Sequence, residues 1–94
     1  MKKKFVIEKT PEVRALILKH ENYKENFALD EEDERFYYVA YRLPEKQRIL
    51  LFAYLEHRSI RKLMAFFGSS YYLIRDALND LKKQMAEIES KRKR

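Results

Sequence analysis

Arg75 and Asn79 stand four residues apart, a spacing that puts both side chains on one face if the segment is helical. Arginine bonds guanine through two parallel N–H donors and asparagine bonds adenine in the same bidentate way, so a helix carrying both can read base edges in a major groove. Groups suited to the same task cluster around them. Tyr71 and Tyr72 can touch phosphate or a thymine methyl, Asp76 can accept from cytosine or orient Arg75, and Lys82 adds a cation further along. Upstream, Arg61 and Lys62 carry the charge that holds phosphates. Nothing comparable exists for covalent chemistry. The chain has no cysteine, two histidines and one glycine, so it lacks a thiolate site, a Gly-rich phosphate loop and a nucleophile motif. His20 has only Tyr23 and Lys24 at the spacings where a second metal ligand would sit, and His57 has no acid or nucleophile arranged around it. The sequence therefore predicts a binding protein rather than an enzyme, with no metal and no cofactor.

The elements that must position these residues lie between Leu43 and Met85. Ser59 can cap a helix through IRKLMAFF, Gly68 stands where that helix must stop, and Ser70 can cap the helix that follows. Ile74, Leu78 and Leu81 recur at the three-to-four spacing of a buried face, which leaves Tyr71, Tyr72, Arg75, Asp76 and Asn79 toward solvent. Two amphipathic helices meeting at a glycine read as a helix-turn-helix.

LPEKQRILLFAYLE followed by S-x-x-x-L-x-x-F-x-G-x-S resembles the C-terminal helix-turn-helix of bacterial RNA polymerase sigma factors, the fourth conserved region that reads the upstream promoter element. The Leu-Pro opening, the Gln-Arg pair, Tyr54, Leu55, Glu56, Ser59, Leu63, Gly68, Ser70, Ile74 and Leu78 fall in register without a gap, over about half of the chain. The resemblance implies a DNA-binding transcription regulator with its last helix in the major groove of double-stranded DNA. It also implies that the helix before Leu43-Pro44 packs under the helix-turn-helix. The chain departs from the family pattern at Lys62, Met64, Ser69, Tyr72, Leu73 and Ala77. Tyr71 and Tyr72 bring bulk where the family keeps a small residue, which points to a second reading. In that reading the module binds RNA polymerase or a sigma factor without reading DNA. With no other sigma region in 94 residues, a partner is expected for promoter opening.

Composition and the remaining segments fit a small all-α domain of four to five helices. The chain is 46% hydrophobic and 38% charged, with one glycine and two prolines. Residues 1–9 form a basic N-terminal arm, in which Lys2, Lys3 and Lys4 precede Phe5-Val6-Ile7. That arm reads as a solvated end, a packing arm or a short strand. Residues 10–42 are expected to supply helices that pack on the core. One starts at Thr10-Pro11 with Val13, Leu16, Ile17 and His20 on a shared face to about Tyr23, and His20 partly exposed. After a turn near Asn26–Asp30, a second is capped by Asp30, with Glu31, Glu32, Asp33 and Glu34 favoured by the helix dipole. The aromatic run Phe36 to Tyr41 is expected to bury against the helix that Pro44 starts. In that helix Lys46, Gln47 and Arg48 are expected to face away, and His57-Arg58 to form an exposed link. Residues 43–90 are the sigma-like unit with an extended last helix, and 91–94 a basic tail without order. The stripe Leu81, Met85, Ile88 must fold back on the first helix or pair with a second copy as a homodimer.

Charge follows the same division. Residues 1–41 carry eight Lys/Arg against nine Asp/Glu, and residues 42–94 carry thirteen against six. The net +6 therefore sits with the expected helix-turn-helix. The N-terminal residues show neither a signal peptide nor a membrane span, and a cytoplasmic protein is expected.

Overall fold

The computed structural model describes residues 5–26 and 30–92, in which five helices form a core centred on α3 and no strand forms. The helices are α1 (Pro11–Asn26), α2 (Glu31–Ala40), α3 (Glu45–His57), α4 (Ile60–Phe67) and α5 (Tyr71–Arg92). Each of the first two begins where a side-chain acceptor meets an unpaired amide. Thr10 Oγ1 accepts from the Val13 N–H at 3.3 Å, and Asp30 Oδ1 accepts from the Asp33 N–H at 2.8 Å. Residues 31–34 then place four carboxylates at the positive end of α2. α1 runs one turn beyond Tyr23, and most of the turn expected near Asn26–Asp30 lies outside the described residues.

α3 is the axis of the core, packed by α1, α4 and α5. Ile49, Leu50, Leu51, Phe52 and Ala53 are all buried in succession, as a helix apolar on every side requires. Gln47 is buried with them, at 7% exposure, and so does not face away. Its Nε2 donates to Asp80 Oδ2 at 3.0 Å, which ties α3 to α5, and Gln84 Nε2 donates to the same oxygen at 3.0 Å. The amide that breaks the apolar pattern is therefore held on its N–H side, where a carboxylate on α5 accepts the hydrogen bond, while its Oε1 is buried without a partner.

The aromatic run packs as expected. Tyr37 is buried, and the Phe36 and Tyr37 rings lie 6.1 and 6.5 Å from Phe52. His20 completes this cluster and is more than a partly exposed helical histidine. It stacks on Phe52 with ring centroids 4.0 Å apart, and its Nδ1 is 3.2 Å from the Tyr37 hydroxyl. Lys19 beside it pairs with Glu56 at 2.9 Å, so ion pair and stack together hold α1 to α3.

Both ends of the chain pack where the sequence left choices. Phe5 is buried and meets the Phe67 ring edge to face at 5.4 Å, and Lys9 pairs with Glu45. The arm is therefore a packing arm from Phe5 onward; Lys2, Lys3 and Lys4 lie outside the described residues. At the other end α5 continues through Lys91 and Arg92 in place of a disordered tail, with Arg92 3.8 Å from Glu89 and 5.7 Å from the Tyr38 ring. Residues 93–94 lie outside the described set. The stripe through Met85 and Ile88 is half-buried within the chain, where α5 runs along α2 rather than α1.

Candidate nucleic-acid interface

α4 is framed by two left-handed residues. Arg58 (φ 52°, ψ 27°) ends α3, its N–H donating to the Tyr54 carbonyl at 2.7 Å. Gly68 (φ 63°, ψ 35°) ends α4, donating to the Met64 carbonyl. The second corner is where the sequence put it, and the first turns at Arg58, within the expected link but without His57. His57, expected in an exposed link, is the last residue of α3, half-buried with its ring 4.9 Å from Phe66. Its Nε2 is buried without a hydrogen-bond partner.

Between these corners Ser59 accepts from the Lys62 N–H at 3.4 Å, and Leu63, fully buried, anchors α4 to the core. Arg61 and Lys62 occupy the first turn with both side chains exposed and no acidic residue beside them. Two cations at the positive end of a helix are unfavourable by ~0.3–1 kcal/mol each. α2 obeys the dipole rule and α4 breaks it. Cations kept against the helix dipole are well placed for an external anion.

Gly68, Ser69 and Ser70 carry the chain from α4 to α5, where the Ser70 carbonyl accepts from the Ile74 N–H at 3.1 Å. On α5 Ile74, Ala77, Leu78 and Leu81 are buried, while Tyr71, Tyr72, Arg75, Asp76, Asn79 and Lys82 are all exposed, as is Ser70 just before it. Tyr71, Arg75, Asn79 and Lys82 recur at intervals of four, four and three, which is one stripe of an α-helix. Tyr72 and Asp76 lie on the neighbouring stripe. Tyr71 and Tyr72 are 45% and 65% exposed and meet edge to face at 5.5 Å. Arg75 is 5.1 Å from the Tyr72 ring and bonds Asp76 Oδ1 at 3.3 Å. Asp76 is thus within hydrogen-bond reach of Arg75 on the exposed face. The pair is exposed on both sides, so exchanging Asp76 for an external acceptor costs ~1 kcal/mol or less.

Arg75, Asn79 and Lys82 also border a groove of about 510 Å³ between α5 and the end of α3. Tyr54 and Arg58 form the opposite rim. Its floor is aliphatic, with Leu55, Ile60 and Met85 half-buried over buried Leu51, Leu78 and Leu81. Sequence reading missed Arg58 and this concavity because the groove joins residues from three helices and a non-glycine cap. Arg61 and Lys62 are not among its lining residues.

Perturbed ionisable groups lie elsewhere. Burial, and then the neighbouring Lys19 charge, push His20 below the usual histidine range, with Glu56 opposing. The hydrogen bond from Lys19 lowers Glu56, and burial raises Tyr37 and Tyr41. Among the described residues no group of three or more His, Cys, Asp or Glu side chains can hold a metal ion. No described helix is long and apolar enough to cross a membrane. Comparison with known proteins finds no matching family model, no matching curated protein and no matching solved structure.

Proposed function

We propose that the chain is a DNA-binding transcription regulator of the cytoplasm. In this reading α4 and α5 act as a helix-turn-helix like that of the fourth region of sigma factors. α5 enters the major groove, Arg75 and Asn79 read bases, and Arg61, Lys62 and Lys82 hold phosphates. The supporting observation is the split of α5 into a buried face of Ile74, Ala77, Leu78 and Leu81 and an exposed stripe of Tyr71, Arg75, Asn79 and Lys82, following a corner at left-handed Gly68.

Genomic DNA selection with purified protein, with and without core RNA polymerase, tests the reading and reports the preferred site. On that site Arg75→Ala should cost about 1–3 kcal/mol and relax sequence preference, whereas Lys62→Ala should weaken all duplexes alike and reduce the salt slope by about 1. Selection that enriches nothing in either condition would sink the proposal. The exposure of Tyr71 and Tyr72 favours one second reading, a module that docks on polymerase or a sigma factor without touching bases. That reading wins if Tyr71→Ala or Tyr72→Ala abolishes association with polymerase while Arg75→Ala and Lys62→Ala leave DNA retention unchanged.

A further inference from the structure

A cavity of about 440 Å³ opens among α1, α2 and α3, and no residue assigned above to DNA lines it. Its walls are mostly rings. His20, Tyr23, Phe36 and Tyr37 line it, with Leu55 from α3. Tyr37 is the hub, its ring centroid 5.0 Å from that of Phe36, 6.2 Å from His20 and 6.3 Å from Tyr23. His20 is held flat on Phe52 and within 3.2 Å of the Tyr37 hydroxyl, so these walls are in place before any ligand arrives. A volume in the range ~300–1,000 Å³, lined by rings with a few polar groups among them, is the ordinary make-up of a small-molecule site.

Two charged side chains line the cavity, and only one has an ionic partner. Lys19 is held by Glu56 at 2.9 Å. Asp33 is half-buried, accepts from the Tyr23 hydroxyl at 3.3 Å, and meets no cation in the ion pairs of the described residues. Its charge is felt across the rings. Asp33 is the main cause that lifts Tyr23 above the usual phenol range, and behind burial, Tyr41 and Tyr23 it adds to the rise at Tyr37. Burial and then Lys19 hold His20 below the usual histidine range, so near neutral pH that wall carries no cation.

The surroundings carry the same sign. Residues 30–34 are five carboxylates in a row, against a charge of about +0.5 at the start of a helix. Seven of the eight described residues lining the cavity belong to residues 1–41, where nine Asp/Glu outnumber eight Lys/Arg in an otherwise basic chain. A phosphate or carboxylate ligand is repelled here. A metal ion finds no group of three His, Cys, Asp or Glu among the described residues. An organic cation is attracted twice, by the negative faces of the rings and by the carboxylate.

We infer that this cavity binds an organic ammonium ion with an aromatic body, the body among the rings and the ammonium on Asp33. The test is isothermal titration calorimetry of the full chain with 2-phenylethylammonium, for which a dissociation constant below about 1 mM is expected. The charge-reversed probe 3-phenylpropionate should bind at least about tenfold more weakly, as should tetramethylammonium, which has the charge without the body. Asp33→Asn should weaken the ammonium about fivefold or more, whereas Glu34→Gln, the same change of charge on a residue that does not line the cavity, should alter it less than about twofold. In proton NMR the ring signals of His20 should move on titration while those of His57 stay.

No binding of 2-phenylethylammonium would overturn the inference. Equal affinity for either control probe would overturn it too, as would equal effects of the two substitutions or an unmoved His20. Should Asp33→Asn fail to fold, the two control probes and the NMR titration on the wild-type chain still decide it. The cavity shares no residue with the DNA-binding reading, so absence of duplex binding leaves this result standing.

Discussion

α3 and α4 end in the same backbone conformation with opposite residues. Arg58 has φ 52° and Gly68 φ 63°, and in each the N–H returns to the carbonyl four residues back. At Gly68 a Cβ would meet nothing within 4 Å, so the glycine answers to the backbone alone and not to crowding. At Arg58 the backbone demand is the same, and the chain accepts the strain. The difference teaches that a left-handed cap fixes where a helix turns but does not fix its residue. The side chain is free to be chosen for what it meets outside the turn.

The scale for testing this contrast comes from the helix both corners frame. Leu63 is fully buried in α4, and Leu63→Ala should destabilise by about 2–5 kcal/mol in denaturant titration. A much smaller loss would mean that α4 is not anchored and that neither corner is fixed. Next in size, Gly68→Val should cost about 1–2 kcal/mol, because a β-branched residue suffers most in this conformation. An unchanged melting temperature would show that the second corner carries no backbone demand, and the comparison would break. Arg58→Gly should move the other way. Relief of about 1–2 kcal/mol of strain, less about 0.4–1 kcal/mol from the freer unfolded chain, leaves a gain of about 0.5–1 kcal/mol. Destabilisation instead would place the worth of Arg58 inside the fold.

The smallest effect is the pH dependence, which should be the same in wild type and Arg58→Gly because its sources lie at the α1–α3 contact and at the Lys9–Glu45 pair. Burial depresses His20 in the folded protein, so the unfolded chain binds the proton more readily, and stability should fall as pH drops below about 6.5. Glu56, depressed by Lys19, contributes stability that is lost in a second, more acidic window below the ordinary glutamate range. His20→Phe should flatten the first window and leave the second. Equal slopes in His20→Phe and wild type would sink this assignment.

Most of the fold was legible because its signals are local. Thr10, Asp30, Ser59 and Gly68 each mark a helix boundary by chemistry confined to a turn, and Ile74, Leu78 and Leu81 mark a face by spacing alone. The exposed set on α5 was legible for the same reason. What escaped depends on partners distant in sequence. Gln47 looks like a surface residue until Asp80 arrives from α5, and neither the stack of His20 on Phe52 nor the seat of Phe5 against Phe67 is set by local spacing. Arg58 carries no turn signature at all. The α3–α5 groove is therefore invisible to any reading that treats helices one at a time.

α5, at 22 residues, is about 33 Å long, with Tyr71 and Tyr72 near one end and its far half lying along α2. A continuous helix bends little over that length, so it behaves as a beam resting on two supports, the α3–α4 core and the face of α2. The tyrosine end is tied to α4 through the Gly68 corner, and the α2 face carries the opposite end. One unbroken run of backbone hydrogen bonds thus spans from the exposed tyrosines to the face of α2.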